Sequence, residues 1–323
     1  MTTSYFIRLL YLALAAFFLV HLALGLAMWT LAPTAARLAT RLKTRIAARL
    51  FFAMRVLPAV GGLLVAAGIC VPSYLTFEPD TSAEEIGVAC LAAAILGAAV
   101  LFASILRALR AAFASFRFAR RCERAAHQMP AFGAFPSMRV VERNAPIFAL
   151  SGIVKPCLLV SRNVLDALSE DQFAAALRHE QAHGSSRDNL KRLLMMLSPD
   201  IFPFVRAFRS IERSWAKFSE WAADDCAVDG DSRRSLSLAA ALVRVARLGS
   251  PRRPELASSL LADGDDLAVR VNRLLHEPPR ALQNKQPGRT MIVGLAFAAL
   301  LIAAIMQPAT LRAVHLLLER LMD

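Results

Sequence analysis

Uncharged apolar stretches dominate the hydrophobic pattern of this 323-residue chain. Four windows, residues 9–31, 56–77, 86–106 and 290–311, contain no Asp, Glu, Lys or Arg. About 20 helical residues, at a rise of about 1.5 Å each, cross the roughly 30 Å hydrocarbon core of a bilayer. The first window is too long for the apolar region of a signal peptide, so we interpret it as a retained helix. The pattern predicts an α-helical membrane protein with four transmembrane helices.

The charges between these windows predict an orientation. Residues 32–55 carry six basic residues and no acidic one, whereas residues 78–85 carry four acidic residues and no basic one. Basic segments beside membrane helices stay in the cytoplasm. We therefore expect a basic cytoplasmic loop at 32–55 and a cytoplasmic domain at 115–289. The N-terminus and the tail of the C-terminal segment 290–323 are expected outside a bacterial inner membrane, with three spans in residues 1–114.

Residues 115–289 have the mixed pattern of an α+β domain. Short apolar runs at 138–142, 147–150 and 157–161, with turn residues between the last two, predict a small antiparallel sheet or hairpin. Ser169 and Gln172 form a capping box, which predicts a helix that runs past His183. A further helix is predicted at about 204–228, and helical segments are predicted from there to about 275.

Composition agrees with a membrane location. The chain is 56% hydrophobic and 20% charged, against about 45–50% and 25% in soluble domains. Its net charge is +13, and the basic residues follow the ends of the apolar windows, which favours the anionic cytoplasmic leaflet over nucleic acid as their partner. Five cysteines without a CxxC pair exclude a disulfide framework. Cys70 and Cys90 fall at similar depths, so a disulfide between them is geometrically possible.

One constellation has the pattern of a catalytic metal site. His179, Glu180 and His183 form H-E-x-x-H, which places both imidazoles on one helix face, able to bind one ion at about 2.0–2.1 Å. Glu180 then lies beside the open coordination position as a candidate general base. Glu220 is a candidate third ligand, and Asp224, one turn later, can orient a ligating histidine. We predict one Zn²⁺ per chain.

These residues lie in sequences that resemble a known family. LSGIVKPCLLVSRNVLDALSEDQFAAALRHEQAHGSSRDNLKRLL, followed by EWAADDCAV, resembles the BlaR/MecR-type integral membrane zinc metallopeptidases, as do three spans before and one after the domain. The resemblance implies a zincin-like metallopeptidase domain with the roles given above. It also implies a supporting role for Asp188, which falls where the family tends to carry an aspartate. Sensor members of the family continue into a large extracellular β-lactam-binding domain, whereas about a dozen residues follow residue 311 here, so antibiotic sensing is not expected.

The sequence does not assign two parts of the expected peptidase site, the oxyanion-stabilising residue and the strand that binds substrate. The family often has an arginine three residues after the second histidine, but this chain has Ser186 at that position. The tyrosines of this chain all lie in the predicted membrane part or beyond it, away from the histidines. The candidates for stabilising an oxyanion are therefore His276, Arg187 and Arg213. An extended substrate commonly adds to a sheet edge. The candidate edge strand, with a core strand as the alternative, comprises Ala145, Pro146, Ile147, Phe148, Ala149 and Leu150.

The sequence thus predicts a membrane-embedded zinc endopeptidase that cleaves a cytoplasmic or juxtamembrane protein, such as a transcriptional repressor by family analogy. The alternatives are a CAAX- or HtpX-type membrane metallopeptidase and a noncatalytic zinc-containing membrane signalling protein. The expected partners are a protein or peptide substrate, the lipid bilayer and a membrane partner protein, without nucleic acid; the oligomeric state is left open. Aromatic and basic residues alternate in segment 202–217, so this segment can lie either on the inner leaflet or as a solvated helix.

Overall fold

A computed structural model describes residues 3–77, 87–124, 126–129, 138–142, 146–153, 156–202, 206–249, 258–259 and 264–276. The predicted fourth span at 290–311 and the tail after it lie outside these residues. Within them, the protein is mostly helical, with one small mixed sheet.

Three long apolar helices form the N-terminal part. Helix α1 is Thr3–Ala39, and α2 is Thr44–Val65, which continues through a π-helical turn, Ala66–Cys70, into α3, Val71–Phe77. Helix α4 is Val88–Arg124. All three stretches are long and apolar enough to cross a membrane, which agrees with the first three predicted spans.

Most of the predicted basic loop at 32–55 is helical, and its placement in the cytoplasm stays a prediction. Helix α1 continues to Ala39 and α2 begins at Thr44, so only residues 40–43 lie outside helices. Small and apolar side chains on one side of this helical hairpin are buried, among them Ala39, Ala47 and Phe51, whereas its arginines are mostly exposed. The expected boundary between residues 114 and 115 likewise falls inside α4, because that helix continues without a break into the domain.

Glycines let the long apolar helices approach one another closely. A Cβ atom on Gly62 would lie 2.9 Å from the carbonyl oxygen of Phe17, and one on Gly97 would lie 2.6 Å from that of Leu14. Both positions therefore need glycine for close packing of α1 against α2 and α4. A Cβ atom on Gly68 would meet nothing within 4 Å, so close packing is not the reason for that glycine.

Cys70 and Cys90 are neighbours in the apolar cluster near the far ends of these helices. Both are buried there beside Tyr5 and Tyr74. Both are free cysteines, so the structure contains no disulfide between them.

The sheet follows α4 in the chain. Its strands are β1, Ala126–Met129; β2, Met138–Val141; β3, Phe148–Ser151; β4, Cys157–Ser161; and β5, Ser258–Ser259, in the order β1-β2-β4-β3-β5. Strands β3 and β4 form the predicted antiparallel hairpin, with Gly152 at a positive φ of 107° in the turn. The sheet as a whole is mixed, because β2 pairs with β4 in parallel. Strands β1 and β5 were not predicted.

Six further helices complete the described chain: α5, Arg162–Ala167; α6, Glu170–Ser186; α7, Asp188–Leu197; α8, Arg209–Val228; α9, Ser232–Arg247; and α10, Gly264–His276. Successive side chains of each strand point to opposite faces of the sheet, and each face packs against helices. Val140, Leu158 and Val160 face a core formed with α6, α9 and α10. Val141 and Leu159 point the opposite way and pack with Cys122 near the end of α4.

Buried polar contacts join the domain to two of the long apolar helices, α2 and α4. Arg55 of α2 is fully buried, and its guanidinium donates to the backbone oxygens of Ser198 and Pro199 at 2.8 and 3.1 Å and to Glu212 at 2.8 Å. On α4, Arg107 donates to the Asp200 carboxylate at 2.6 Å. The segment that follows α7 is thereby fixed to two of the three candidate membrane spans.

Helix α1 reaches the same segment through its histidine. His21 Nε2 lies 3.1 Å from the backbone oxygen of Asp200, and the imidazole is fully buried. His21 is therefore a helix-packing group, in agreement with its position in an apolar window.

Candidate metal centre

Helix α6 presents the H-E-x-x-H residues to the interior. The Ser169 hydroxyl accepts the backbone N–H of Gln172, and the Gln172 side chain accepts the backbone N–H of Ser169, so the predicted capping box is confirmed. The cap starts the helix in the register that buries His179, Glu180 and His183, which are all at most 1% exposed.

Helix α8 brings Glu220 to the two histidines. His179 Nε2 and His183 Nε2 lie 3.1 Å apart, and the Glu220 carboxylate oxygens lie 3.4 Å from the first nitrogen and 3.6 Å from the second. Tetrahedral ligands with bond lengths of 2.0–2.1 Å stand about 3.3 Å apart. The three side chains converge on one point with this spacing, so this buried group could hold a metal ion.

Each histidine has a carboxylate on its other ring nitrogen. His179 Nδ1 lies 2.9 Å from Asp224 Oδ1, and His183 Nδ1 lies 2.7 Å from Asp188 Oδ2. Asp188 also accepts the Ser219 hydroxyl at 2.9 Å and Lys191 at 2.8 Å. This arrangement orients both Nε2 atoms toward the common point, as carboxylates do for metal-binding histidines.

Asp224 and Asp225 have different partners although they are adjacent. Asp225 pairs with Arg273 and accepts the Thr44 hydroxyl of α2 at 2.6 Å. It therefore links α8 to α10 and to the start of α2, whereas Asp224 points to His179.

Arg270 of α10 is a buried cation at this site that was not predicted from the sequence. It is 1% exposed and donates to both oxygens of Asp224, at 2.9 and 2.6 Å. Its third nitrogen lies 3.0 Å from Glu220 Oε2. A signal was present in the sequence, since Arg270 shares the apolar stripe of α10 with Leu267 and Leu274. An arginine on such a stripe indicates a buried charge with buried partners.

The charges at the site set its pKa values. Burial alone would raise the pKa of Glu220, but Arg270 and His183 hold it well below its ordinary value. Burial would also raise the pKa of Asp224, but Arg270 lowers it to about 2. Burial would lower the pKa of His183, but Glu220 and Asp188 raise it to about 10. The carboxylates are ionised and attract positive charge to Nε2, where a proton and a metal ion compete.

The three predicted oxyanion residues lie in different places. Arg187 caps α6 in the left-handed conformation, with φ 53°, and is exposed beside the site. Arg213 is exposed on α8, about 10 Å along the helix axis from Glu220. His276 is exposed at the end of α10 and lies against its own helix backbone, with Nδ1 3.1 Å from the Asn272 oxygen. The structure does not bring Arg213 or His276 to the histidine pair.

The predicted edge strand is not an open edge over its last residues. Ala149 and Leu150 pair with Ser259 and Ser258 of β5, while the other side of β3 pairs with β4. Pro146, Ile147 and Phe148 are buried, and Ala145 lies outside the described residues. The alternative of a core strand therefore holds for β3, because a neighbouring strand lies on each side of it.

A cavity of about 260 Å³ adjoins His183. It is lined by the end of β3 and the α6–α7 junction, including Leu150, His183, Gly184, Arg187 and Asp188. Asn189 holds this wall in place by donating to the backbone oxygens of Leu150 and Gly152 at 3.0 and 2.9 Å. The cavity gives the metal centre a neighbouring space of the size of one or two side chains.

No protein-family model matches the chain, and no curated protein matches it significantly. The likeness to BlaR/MecR-type metallopeptidases rests on the chain's own residues, and membership of that family stays a proposal.

Proposed function

We propose that this chain is a membrane-anchored, zinc-dependent endopeptidase of the BlaR/MecR type. One observation carries the proposal: Nε2 of both histidines and the Glu220 carboxylate converge at 3.1–3.6 Å, with Glu180 on the same buried helix face. Three protein ligands leave a fourth position open, which is typical of a catalytic zinc site.

The charge balance favours a divalent cation. Four carboxylates belong to the site, those of Glu180, Asp188, Glu220 and Asp224, and its fixed cations are Arg270 and Lys191. Two negative charges are thus left for a bound ion to neutralise when the imidazoles are neutral. Nitrogen and carboxylate ligands in this number fit zinc.

Each side chain then has a defined task in peptide hydrolysis. His179, His183 and Glu220 would hold the zinc ion, which when bound would supply a Lewis acid for the scissile carbonyl and for water. Glu180 accepts a proton from the attacking water and delivers it to the leaving amine nitrogen. Asp188 and Asp224 hold the two imidazoles in orientation, and Arg270 holds Asp224 and Glu220.

The test compares protein N-termini in cells that carry the wild type or Glu180→Gln. We expect a set of new N-termini that depends on Glu180, on proteins of the membrane or its cytoplasmic face. The purified Glu180→Gln protein should still hold about one zinc per chain, because Glu180 is not a ligand. Zinc content must be measured on the same preparations by elemental analysis.

Glu220→Gln is the matched variant, because it changes a ligand by the same atom exchange. It should lose most of the zinc and all of the Glu180-dependent N-termini. Identical N-termini in wild type and Glu180→Gln, with zinc retained, would contradict the peptidase proposal and favour a noncatalytic zinc protein. Loss of zinc from Glu180→Gln but not from Glu220→Gln would contradict the ligand assignment.

A further inference from the structure

Five exposed basic side chains lie where α1 turns into α2, beyond the ends of the apolar windows. This part of the chain comprises the end of α1, residues 40–43 and the start of α2, and it contains no acidic residue. We call the five side chains the basic tip: Arg37, Arg41, Lys43, Arg45 and Arg49. Within the described residues, none of the five forms an ion pair, so their charges are available to a ligand.

The backbone that carries the basic tip is fixed by packing. Ala39, at the end of α1, is fully buried. Thr44, the first residue of α2, donates its hydroxyl to Asp225 of α8 at 2.6 Å. The tip is therefore a folded surface, and like charges four residues apart on it, such as Arg45 and Arg49, repel each other. A ligand of opposite charge would relieve that repulsion.

The basic tip lies close to the candidate metal centre. Thr44 contacts Asp225, and the adjacent residue Asp224 lies 2.9 Å from His179 Nδ1. These contacts run through two adjacent residues of α8, so Thr44 lies within about 20 Å of the centre. An extended peptide covers that distance in about six residues.

The distance from the apolar windows argues against lipid as the ligand of the tip. Arg55 is the charge immediately before the uncharged window of α2, and Lys43 precedes it by about 18 Å of helix. A bilayer that ends at Arg55 has a headgroup layer about 5–7 Å deep, and its charges are screened over about 8 Å at physiological ionic strength. The connection between the helices therefore lies beyond the reach of anionic headgroups.

From these observations we propose that the basic tip binds an acidic segment of the protein that this chain cleaves. The inference rests on the proposed peptidase function for the identity of the occupant. Acidic residues about six positions from the scissile bond would reach the tip when that bond lies at the metal centre. Docking there raises the local concentration of the bond, so acidic substrates are selected. Single-stranded nucleic acid is less suited, because residues 37–49 include no aromatic side chain on which a base could stack.

The binding experiment uses the full-length protein with Glu180→Gln, so that no peptide is cleaved, in phosphatidylcholine nanodiscs. The probe is a fluorescein-labelled peptide with six consecutive glutamates, and fluorescence anisotropy measures its dissociation constant. Arg41→Gln, Lys43→Gln and Arg45→Gln together should weaken the binding about eightfold, about twofold for each charge. Binding should also weaken as the salt concentration rises, because the charges are exposed.

The matched control removes three charges from exposed positions of α4: Arg110→Gln, Arg117→Gln and Arg120→Gln. It should leave the dissociation constant within twofold of that of the parent protein. Equal weakening in both triple variants would overturn the proposal, because net charge alone would then explain the binding. Tighter binding of a DNA duplex that depends on the same three tip residues would overturn it in favour of nucleic acid. Loss of peptide binding in phosphatidylglycerol nanodiscs would overturn it in favour of lipid.

Cellular N-termini separate this inference from the proposed function. Among the N-termini that depend on Glu180, we expect acidic residues to be enriched about four to eight positions from the cleaved bond. The triple variant of the tip should lower the yield of these N-termini several-fold while it retains zinc. Unchanged yields in that variant would overturn the role of the tip and leave the peptidase standing. Peptide binding at the tip without any Glu180-dependent N-terminus would contradict the peptidase, and with it the identity of the occupant.

Discussion

Asp224 and Asp225 are adjacent on α8, but their side chains have different partners and different roles. Asp224 lies against His179 and Arg270, whereas Asp225 pairs with Arg273 and Thr44. The two side chains stand about 100° apart around the helix axis, because an α-helix has 3.6 residues per turn. Asp224 therefore supports the candidate metal centre, and Asp225 supports the contacts of α8 with its neighbours.

This difference gives a test at the level of single atoms. Asp224→Asn should lower zinc affinity about 10–100-fold, because the imidazole of His179 loses the carboxylate that orients it and strengthens its basicity. Asp225→Asn should leave zinc affinity within about threefold of the wild type. Competition titrations with a chromogenic chelator measure both. Equal losses in the two variants would show that Asp224 acts through folding alone.

The residues of the site were predictable to different degrees. His179, Glu180 and His183 stand out because a helix places residues four apart on one face, and Glu220 with Asp224 stands out for the same reason. Arg270 follows Asp224 by 46 residues, and only the folded chain brings the two together. Local spacing carries no information about such a contact.

Glycines of the membrane helices determine how close the helices lie. Gly97→Ala should destabilise the packing of α4 on α1, because the added methyl group would come 2.6 Å from the Leu14 carbonyl oxygen and backbone cannot yield cheaply. Gly68→Ala is the control, since its methyl group would meet nothing within 4 Å. We expect Gly97→Ala to lower the midpoint of thermal unfolding in detergent by several degrees. Gly68→Ala should not lower it, and a drop of the same size there would contradict this explanation.

The elements show where sequence patterns reach their limit. The uncharged windows predicted three long apolar helices that could cross a membrane, but they did not give the helix ends. Residues 32–39 and 44–55 are helical because they bury one face against α8, among side chains such as Phe51, Ile211 and Trp215. The sheet order, with β2 parallel to β4, depends on chain crossings that alternation of side chains does not encode.

Arg55 joins the membrane part to the domain and gives a test on the scale of the molecule. Arg55→Met should destabilise the fold by about 2–3 kcal/mol, because Glu212 and the carbonyls of Ser198 and Pro199 lose their buried donor. This loss of stability is small for a broken buried ion pair, because the Glu212 side chain is 36% exposed and water can still solvate it. Chemical unfolding in detergent measures the difference.

Arg49→Met is the control for this test, because Arg49 is exposed on the same helix. It should change the free energy of unfolding by less than about 0.5 kcal/mol. If both variants lose the same stability, the helix tolerates methionine poorly and the buried contacts of Arg55 are not the cause.

Orientation is a second property of the whole molecule. The distribution of basic and acidic residues predicts the hairpin near residue 45 and the domain in the cytoplasm, with residue 80 outside. Fusions of a reporter that is active only outside should be inactive at residues 45 and 240 and active at residue 80. Activity at 240 would reverse the predicted topology and place the metal centre outside.

The length of helix α7 limits the distance between the histidine pair and the ends of the apolar windows. It begins at Asp188, which contacts His183, and ends just before the segment where Asp200 meets Arg55 and Arg107. Its ten residues measure about 15 Å, so the histidine pair stands within about that height of the level where the apolar windows end. An extended peptide covers 15 Å in about five residues. If the proposed activity is correct, a substrate anchored in the same membrane can be cleaved about five residues beyond its last apolar residue. Its cleavage site then needs no long flexible linker to reach the histidine pair.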